Sequence, residues 1–188
     1  HLVFKNPETF NSTEKDIERY STHNNDSTDQ GYLDFLGRFV IPLKPFLPKK
    51  FDALDFGCGP GPTLSLLLEE VGGTVENYDP LFFPDAHLLI PESYDVVTST
   101  EVVEHFKLPR HDWKTLIDLV KDNGVIAIMT LFYSPEIDYK KWWYKNDHTH
   151  IVFYQQETFE YIVKEFNLEI LYNDKKSIII FKKGEALC

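Results

Sequence analysis

The sequence predicts an α/β protein with a Rossmann-like fold: an open, mostly parallel sheet, helices on both faces and an antiparallel C-terminal hairpin. Three observations indicate this class. After residue 51, short apolar runs alternate with amphipathic segments of helical period. The early runs are almost continuously apolar, as parallel strands buried on both faces are. The last two runs, "LEILYN" and "SIIIFKK", are joined by the short polar stretch "NDKK".

The elements follow one another in a simple order. Residues 1–50 are polar and broken up to a helix predicted in "YLDFLGRFVIPL", and we predict that they form a cap or lid. Residues 51–188 form the main domain. Its predicted elements are strand "FDALDF", helix "PTLSLLLEEV", strands "TVENYD" and "YDVVTS", helix "HDWKTLIDLVKD", strand "GVIAIMTL", helix "QETFEYIVKEF" and the final hairpin.

The composition of the chain limits the classes of ligand and the compartment that we expect. The chain carries a formal net charge of -11, and an acidic surface repels a polyphosphate backbone, so nucleic acid is an unlikely ligand and a small molecule is favoured. The two cysteines cannot form a disulfide framework, and no apolar run reaches the roughly 18 residues of a membrane span. We therefore expect a cytoplasmic protein.

The stretch "LDFGCGPGPT" places a glycine-rich loop between a predicted strand and a predicted helix, where α/β sheets bind ligands. Its spacing is G-x-G-x-G. A dinucleotide fingerprint requires glycine where Pro62 stands, and a P-loop requires a Gly-Lys-Ser/Thr sequence that is absent. Asp79 closes the next strand, where a carboxylate can accept hydrogen bonds from ribose hydroxyls. The pattern indicates a nucleoside ligand without a pyrophosphate.

Four stretches in order resemble the motifs of class I S-adenosylmethionine-dependent methyltransferases: "LDFGCGPG", "YDP", "YDVVTSTEVVEHF" and "NGVIAIMT". The resemblance runs from about residue 51 to residue 159. It implies methyl transfer with S-adenosyl-L-methionine as cofactor.

The resemblance also implies roles for single residues. The predicted cofactor-binding residues begin with Asp55 at the methionine end and with Gly57, Gly59 and Gly61 in the glycine-rich loop, where the backbone approaches the cofactor. Asp79 is predicted at the ribose, and Leu81 and Phe82 beside the adenine. Thr100 is predicted near the sulfonium, and Tyr20 and His23 in the cap. Taken singly, each has a simpler explanation. Glycines can merely form a tight turn, Asp79 can cap a helix, and polar runs such as "HNND" are usually turns.

The run "STEVVEHF" suggests a metal site. If a helical turn follows the fourth strand, Glu101, Glu104 and His105 share one face and can bind a divalent ion. Together with the later His150, this combination resembles the magnesium site of small-RNA 2'-O-methyltransferases and of some polyprenyl-quinone O-methyltransferases. The residue types leave magnesium, manganese and zinc open. Alternatively, the run only shapes the cofactor pocket and His105 donates to a backbone carbonyl.

His148 and His150 are candidate general bases, because an oxygen nucleophile must lose a proton. The aromatic run "KKWWYK" is expected either to line the binding site of an aromatic or lipid-like acceptor or to pack in the core. The leading functional hypothesis is O-methylation of a small molecule. The alternatives are RNA 2'-O-methylation and a non-catalytic nucleoside-binding module.

Overall fold

The computed structural model of the protein describes residues 2–21 and 27–185. Its strands are β1 (Val3–Phe4), β2 (Phe51–Phe56), β3 (Gly73–Tyr78), β4 (Tyr94–Thr100), β5 (Val120–Met129), β6 (Val152–Phe153), β7 (Leu168–Asn173) and β8 (Ile178–Lys183). Its α-helices are α1 (Thr13–Tyr20), α2 (Gln30–Leu43), α3 (Thr63–Glu69), α4 (Pro109–Asp118) and α5 (Gln156–Glu165).

Six of the strands form the central sheet, in the order β3-β2-β4-β5-β8-β7. The first four in this order are parallel, whereas β8 runs antiparallel to both β5 and β7. The carboxyl ends of β2, β3 and β4 therefore lie at one edge of the sheet. This topology confirms the predicted fold, including the antiparallel C-terminal hairpin.

Alternate residues of the central strands face two separate layers of core. In β5, Ala127 packs with the side chains of α2 and α3, whereas its neighbours Ile126 and Ile128 pack with those of α4 and α5. This alternation follows from the period of two in a strand. It explains why residues 125–129 of β5 are apolar without interruption, since both faces of this part of the strand are buried.

The predicted cap of residues 1–50 contains an element of the core. Four residues on one face of α2 are buried against the sheet: Leu36, Phe39, Val40 and Leu43. Asp29 caps the start of this helix by accepting the N–H of Tyr32. The domain boundary at residue 50 stays a prediction, but within the cap α2 packs as a structural helix and α1 buries no residue.

A second, two-stranded sheet joins the N-terminal segment to the later part of the chain. β1 pairs antiparallel with β6, and the N–H of Lys5 donates to the carbonyl of Ile151 at 2.8 Å. Neither β1 nor α1 was predicted. The pairing of β1 with β6 brings α1 beside residues 143–150, at the carboxyl edge of the main sheet. Among the described residues, no helix is long and apolar enough to cross a membrane.

Candidate active site

The glycine-rich loop leaves β2 at the carboxyl edge of the sheet. Gly57 and Gly59 have φ values of 83° and 67°, in the left-handed region that favours glycine. A Cβ atom at Gly57 would also collide with the side chain of Val102. The N–H groups of Gly57 and Cys58 both donate to the carbonyl of Tyr78, at 2.7 and 3.1 Å. The turn itself thus requires glycine at position 57, in addition to any approach of a ligand.

Asp79 organises the loops at the end of β3. Its Oδ2 accepts the N–H of Gly59 at 3.1 Å, and its Oδ1 accepts those of Leu81 and Phe82 at 2.8 and 3.1 Å. A carboxylate has about four lone-pair sites, so these three bonds leave one acceptor site for a ligand hydroxyl. Asp79 therefore fixes the shape of the loop and can also contact a ribose.

Asp55 lies beneath the loop, at the end of β2. Its side chain is 2% exposed and accepts a hydrogen bond from Thr98 Oγ1 at 3.0 Å. Burial, and to a lesser extent the nearby charge of Asp79, raises the pKa of Asp55 to about 7. Asp55 thus changes charge near neutral pH.

A cavity of about 680 Å³, here called the first cavity, opens above the loop. Its volume is within the usual range of small-molecule sites, roughly 300–1,000 Å³. The sequence-predicted residues that line it are Tyr20, Gly57, Gly59, Asp79, Leu81, Phe82, Thr100, Glu101, His105 and His150. The glycine-rich loop and the histidine pair therefore share one cleft.

Two carboxyl groups and a phenol meet at one end of the first cavity. The hydroxyl of Tyr144 donates to Glu104 Oε1 at 2.5 Å and lies 2.9 Å from Glu101 Oε2. One phenol carries one hydrogen, so both contacts are hydrogen bonds only when a carboxyl group is also protonated. Burial raises the pKa of both carboxyl groups, and Glu104 raises that of Glu101 further. Glu101 also has a φ of 54°, which is rare for a non-glycine residue and occurs often at functional sites.

Two histidines face the same point. His105 Nδ1 lies 2.8 Å from the carbonyl oxygen of Thr149, and His150 Nδ1 lies 2.9 Å from that of Tyr144. A carbonyl only accepts, so each Nδ1 carries the hydrogen and each neutral ring keeps its lone pair on Nε2. Burial lowers the pKa of both rings, that of His150 to about 4. Glu104, His105 and His150 each offer a ligand atom within 4.8 Å of the others.

The end of α1 borders this cluster. Arg19 donates to Asp147 Oδ2 through Nε at 3.1 Å and through Nη2 at 2.7 Å. The hydroxyl of Tyr20 lies 3.1 Å from His105 Nδ1. A second cavity of about 810 Å³ adjoins the first and shares Arg19, Tyr144, Asp147 and His150 with it, together with Trp143. His148 is exposed and lines the second cavity.

The model of a family described as a methyltransferase domain matches residues 25–173. The chain belongs to this methyltransferase-domain family. The match confirms the class I S-adenosylmethionine-dependent methyltransferase predicted from the sequence motifs.

Individual relatives agree with this assignment. The curated ubiquinone biosynthesis O-methyltransferase of Schizosaccharomyces pombe mitochondria is 32% identical over 90 residues, which is 48% of this chain and 27% of that enzyme. A solved Bacillus halodurans protein described as a methyltransferase has a TM-score of 0.61 at 10% identity, over 79% of this chain and all of its own. Haemonchus contortus phosphoethanolamine N-methyltransferase 2, with phosphomonomethylethanolamine and S-adenosylhomocysteine, has a TM-score of 0.56 at 15% identity, over 93% of this chain and 58% of its own.

Not every residue predicted for the methyltransferase domain lines the first cavity. Asp55 and Gly61 are absent from its described lining, and Glu104 is fully buried behind it. His148 lines the second cavity only, so His150 is the histidine that joins the cluster. His23 lies outside the described residues. The roles of all these residues stay predictions.

The prediction that one helical face at "TEVVEH" carries Glu101, Glu104 and His105 is wrong. Residues Val103–His105 form a 3₁₀ helix, and Glu101 lies before it in a left-handed conformation. Glu101, Glu104 and His105 therefore do not share an α-helical face. Glu101 joins Glu104 through the hydroxyl of Tyr144 instead.

Two residues that border the cluster, Arg19 and Tyr144, were not predicted from the sequence, although both line the first cavity. Tyr144 lies in the aromatic run that was interpreted as an acceptor wall or core packing, and it does pack against Trp142 and Phe153. Its contact with the carboxylates depends on the tertiary fold. Arg19 lies in a polar segment whose charge pattern predicts only exposed surface.

Proposed function

We propose that the methyltransferase domain transfers the sulfonium methyl group of S-adenosylmethionine to an oxygen atom of a small-molecule acceptor. One observation carries this proposal: the first cavity brings the glycine-rich loop, the end of β4 and the free Nε2 of His150 into a single cleft. Donor and base can therefore act on one bound acceptor.

The cofactor fits along the loop. Gly57 and Gly59 expose backbone to the cavity, Asp79 has acceptor capacity left for a ribose hydroxyl, and Leu81 and Phe82 offer apolar contacts to adenine. The Haemonchus enzyme, which shares the fold, holds S-adenosylhomocysteine in one structure and S-adenosylmethionine in another. These parallels support the same cofactor here.

The chemistry required of the protein is modest, because a sulfonium methyl is already activated. Aligning the nucleophile, methyl and sulfur can contribute roughly 7–11 kcal/mol. His150 is neutral at pH 7 because burial lowers its pKa to about 4. Its Nε2 can therefore take the acceptor's proton, although as a weaker base than a free imidazole. General base catalysis of this kind contributes about 10²–10⁴-fold.

Two facts favour a hydroxyl on a small molecule. The curated relative is an O-methyltransferase by name, although the match covers 27% of it. The chain's net charge of -11 opposes a phosphate backbone. An RNA acceptor would have to overcome this repulsion.

A divalent ion, Mg²⁺, Mn²⁺ or Zn²⁺, is the alternative to a His150 base, because one Nε2 lone pair cannot both bind a metal and accept a proton. His105 and His150 each donate Nδ1–H to a backbone carbonyl and keep Nε2 free, as metal-binding histidines usually do. The Oε2 atom of Glu104 is buried and has no hydrogen-bond partner among the described residues. The donor set therefore fits an ion held by Glu104, His105 and His150. Such an ion would favour loss of the acceptor's hydroxyl proton.

The proposed function is tested by single turnover with methyl-labelled S-adenosylmethionine and a panel of phenols, catechols and aliphatic alcohols. We expect an O-methylated product in the wild type and a fall in the single-turnover rate constant of about 10²–10⁴-fold in His150→Gln, with S-adenosylhomocysteine binding unchanged. His148→Gln is the matched control and should keep the wild-type rate constant.

The metal is tested separately. Titration with MnCl₂ should show binding to the wild type and none to Glu104→Gln or His150→Gln. Activity that survives exhaustive chelation but is lost in His150→Gln would reject the metal and retain the base.

A further inference from the structure

Tyr144 contacts both the carboxylates and the histidine of the proposed active site. It lies in the 3₁₀ helix Trp143–Asn146 and is 2% exposed. Its hydroxyl contacts the carboxyl groups, and its ring and main-chain carbonyl contact His150. A single residue therefore sets the relative positions of groups from two distant segments of the chain.

The hydroxyl holds Glu104. The side chain of Glu104 is fully buried, and Tyr144 donates to its Oε1 at 2.5 Å while its Oε2 lacks a hydrogen-bond partner among the described residues. Thr130 Oγ1 lies 3.3 Å from the same hydroxyl and helps to orient it. A buried carboxylate that loses its donor is costly, by about 1–3 kcal/mol or more. Glu104 would then seek another donor.

The ring and the carbonyl hold His150. The ring centroids of Tyr144 and His150 are 4.1 Å apart, and the carbonyl of Tyr144 accepts His150 Nδ1–H at 2.9 Å. The other nitrogen, Nε2, lies 4.0 Å from Glu104 Oε1. That separation is too long for a hydrogen bond, so the Nε2 lone pair stays free although a carboxylate lies beside it.

We propose that Tyr144 is a positioning residue that keeps the Nε2 lone pair of His150 free, by donating to Glu104 and by accepting the hydrogen on His150 Nδ1. Without the hydroxyl, Glu104 would take Nε2–H of His150 as its new donor. The neutral ring would then move its hydrogen from Nδ1 to Nε2, give up its bond to the carbonyl of Tyr144 and lose the lone pair that a base or a metal ligand needs. The inference rests on the proposed function, because that function gives the free lone pair its purpose.

The test is side-chain ¹H–¹⁵N NMR of the full chain, with the His150 signals assigned by their loss in His150→Gln. Tyr144→Phe removes the hydroxyl and keeps the ring and the carbonyl. Tyr154→Phe is the matched control, because Tyr154 is 1% exposed and its hydroxyl bonds Val103 and Trp113 but no group of the cluster. Thermal unfolding of both variants measures the general cost of losing a buried hydroxyl.

We expect hydrogen on Nδ1 and a bare Nε2 in the wild type and in Tyr154→Phe. In Tyr144→Phe we expect the hydrogen on Nε2 and a bare Nδ1. The double variant Tyr144→Phe with Glu104→Gln should restore the bare nitrogen, because a neutral amide can donate to it. A bare Nε2 in folded Tyr144→Phe, or hydrogen on Nε2 in the wild type, would overturn the inference. If Tyr144→Phe does not fold, the double variant and Glu104→Gln take its place. The inference then stands only if the double variant folds with a bare Nε2 and Glu104→Gln alone shows the wild-type pattern. Any other result contradicts it.

The proposed function has its own readout in the same samples. Calorimetry with S-adenosylhomocysteine should give equal affinities for the wild type and Tyr154→Phe, since the hydroxyl of Tyr154 bonds no group of the cluster. A wild type with a bare Nε2 that binds no S-adenosylhomocysteine would refute the function and leave the positioning role standing.

Discussion

The carboxylate of Asp79 accepts the backbone N–H of Gly59 at 3.1 Å, which joins the end of β3 to the glycine-rich loop. The same carboxylate accepts two more N–H groups, from Leu81 and Phe82. One side chain thus holds both loops that the proposed cofactor touches. Its loss should affect the shape of the site as well as a contact to the ribose.

Replacing Asp79 by Ala should weaken the binding of S-adenosylmethionine and S-adenosylhomocysteine equally, by about 1.5–3 kcal/mol, because charge-assisted hydrogen bonds are lost. Asp79→Asn keeps one carbonyl oxygen and should lose less. Isothermal titration calorimetry of both compounds measures the effect. Undiminished binding to Asp79→Ala would show that Asp79 does not serve the cofactor.

Gly57→Ala should destabilise the loop and reduce cofactor binding severely. The left-handed φ of 83° costs an L-residue about 1–2 kcal/mol, and the new Cβ collides with Val102. Adding Val102→Ala should restore part of the loss, since it removes the collision but not the strain. Gly37→Ala is the control: no atom lies within 4 Å of its Cβ, and in α2 it should stabilise by roughly 0.5–1 kcal/mol.

Asp55 should make the stability of the ligand-free protein depend on pH. Its pKa rises from an ordinary value of 3.8 to about 7 on folding, so between these values the folded state binds more protons than the unfolded state. Stability from this group is therefore greatest at low pH and is lost as the pH rises through about 7, by at most about 4 kcal/mol.

Asp55→Asn isolates this contribution, because the amide oxygen can still accept from Thr98. Urea unfolding between pH 5 and pH 8 should show the wild type losing stability relative to Asp55→Asn up to about pH 7, with a constant difference above it. A difference that is independent of pH would mean that Asp55 is ionised throughout this range.

Helix α1 should be ordered further by the cofactor. It buries no residue, yet Arg19 and Tyr20 at its end line the first cavity. S-adenosylhomocysteine should therefore slow amide hydrogen exchange across α1, and Arg19→Ala should speed it in the free protein. Arg110→Ala, which removes an exposed arginine paired with Glu165, is the control. Exchange in α1 that is equal with and without ligand would contradict the lid.

The strands and helices could be predicted because their signal is local. Each apolar run of β2 to β5, β7 and β8 carries its own pattern, whereas β1 has two residues and is defined only by pairing with β6. Part of the site could be predicted from the sequence for the same reason. Loop residues such as Gly57 belong to a contiguous motif, but Tyr144 reaches Glu104 across 40 positions, and no local pattern encodes such a contact.

Methyl transfer itself is the most direct test of the account. Methyl-labelled S-adenosylmethionine is incubated with the protein and either small hydroxyl compounds or a pool of short RNAs, and the labelled product is identified by mass spectrometry. The account predicts label on the oxygen of a small molecule, with transfer lost in His150→Gln. Label on RNA or on a nitrogen atom, or a wild type that binds the cofactor and transfers no methyl group to any acceptor, would contradict it.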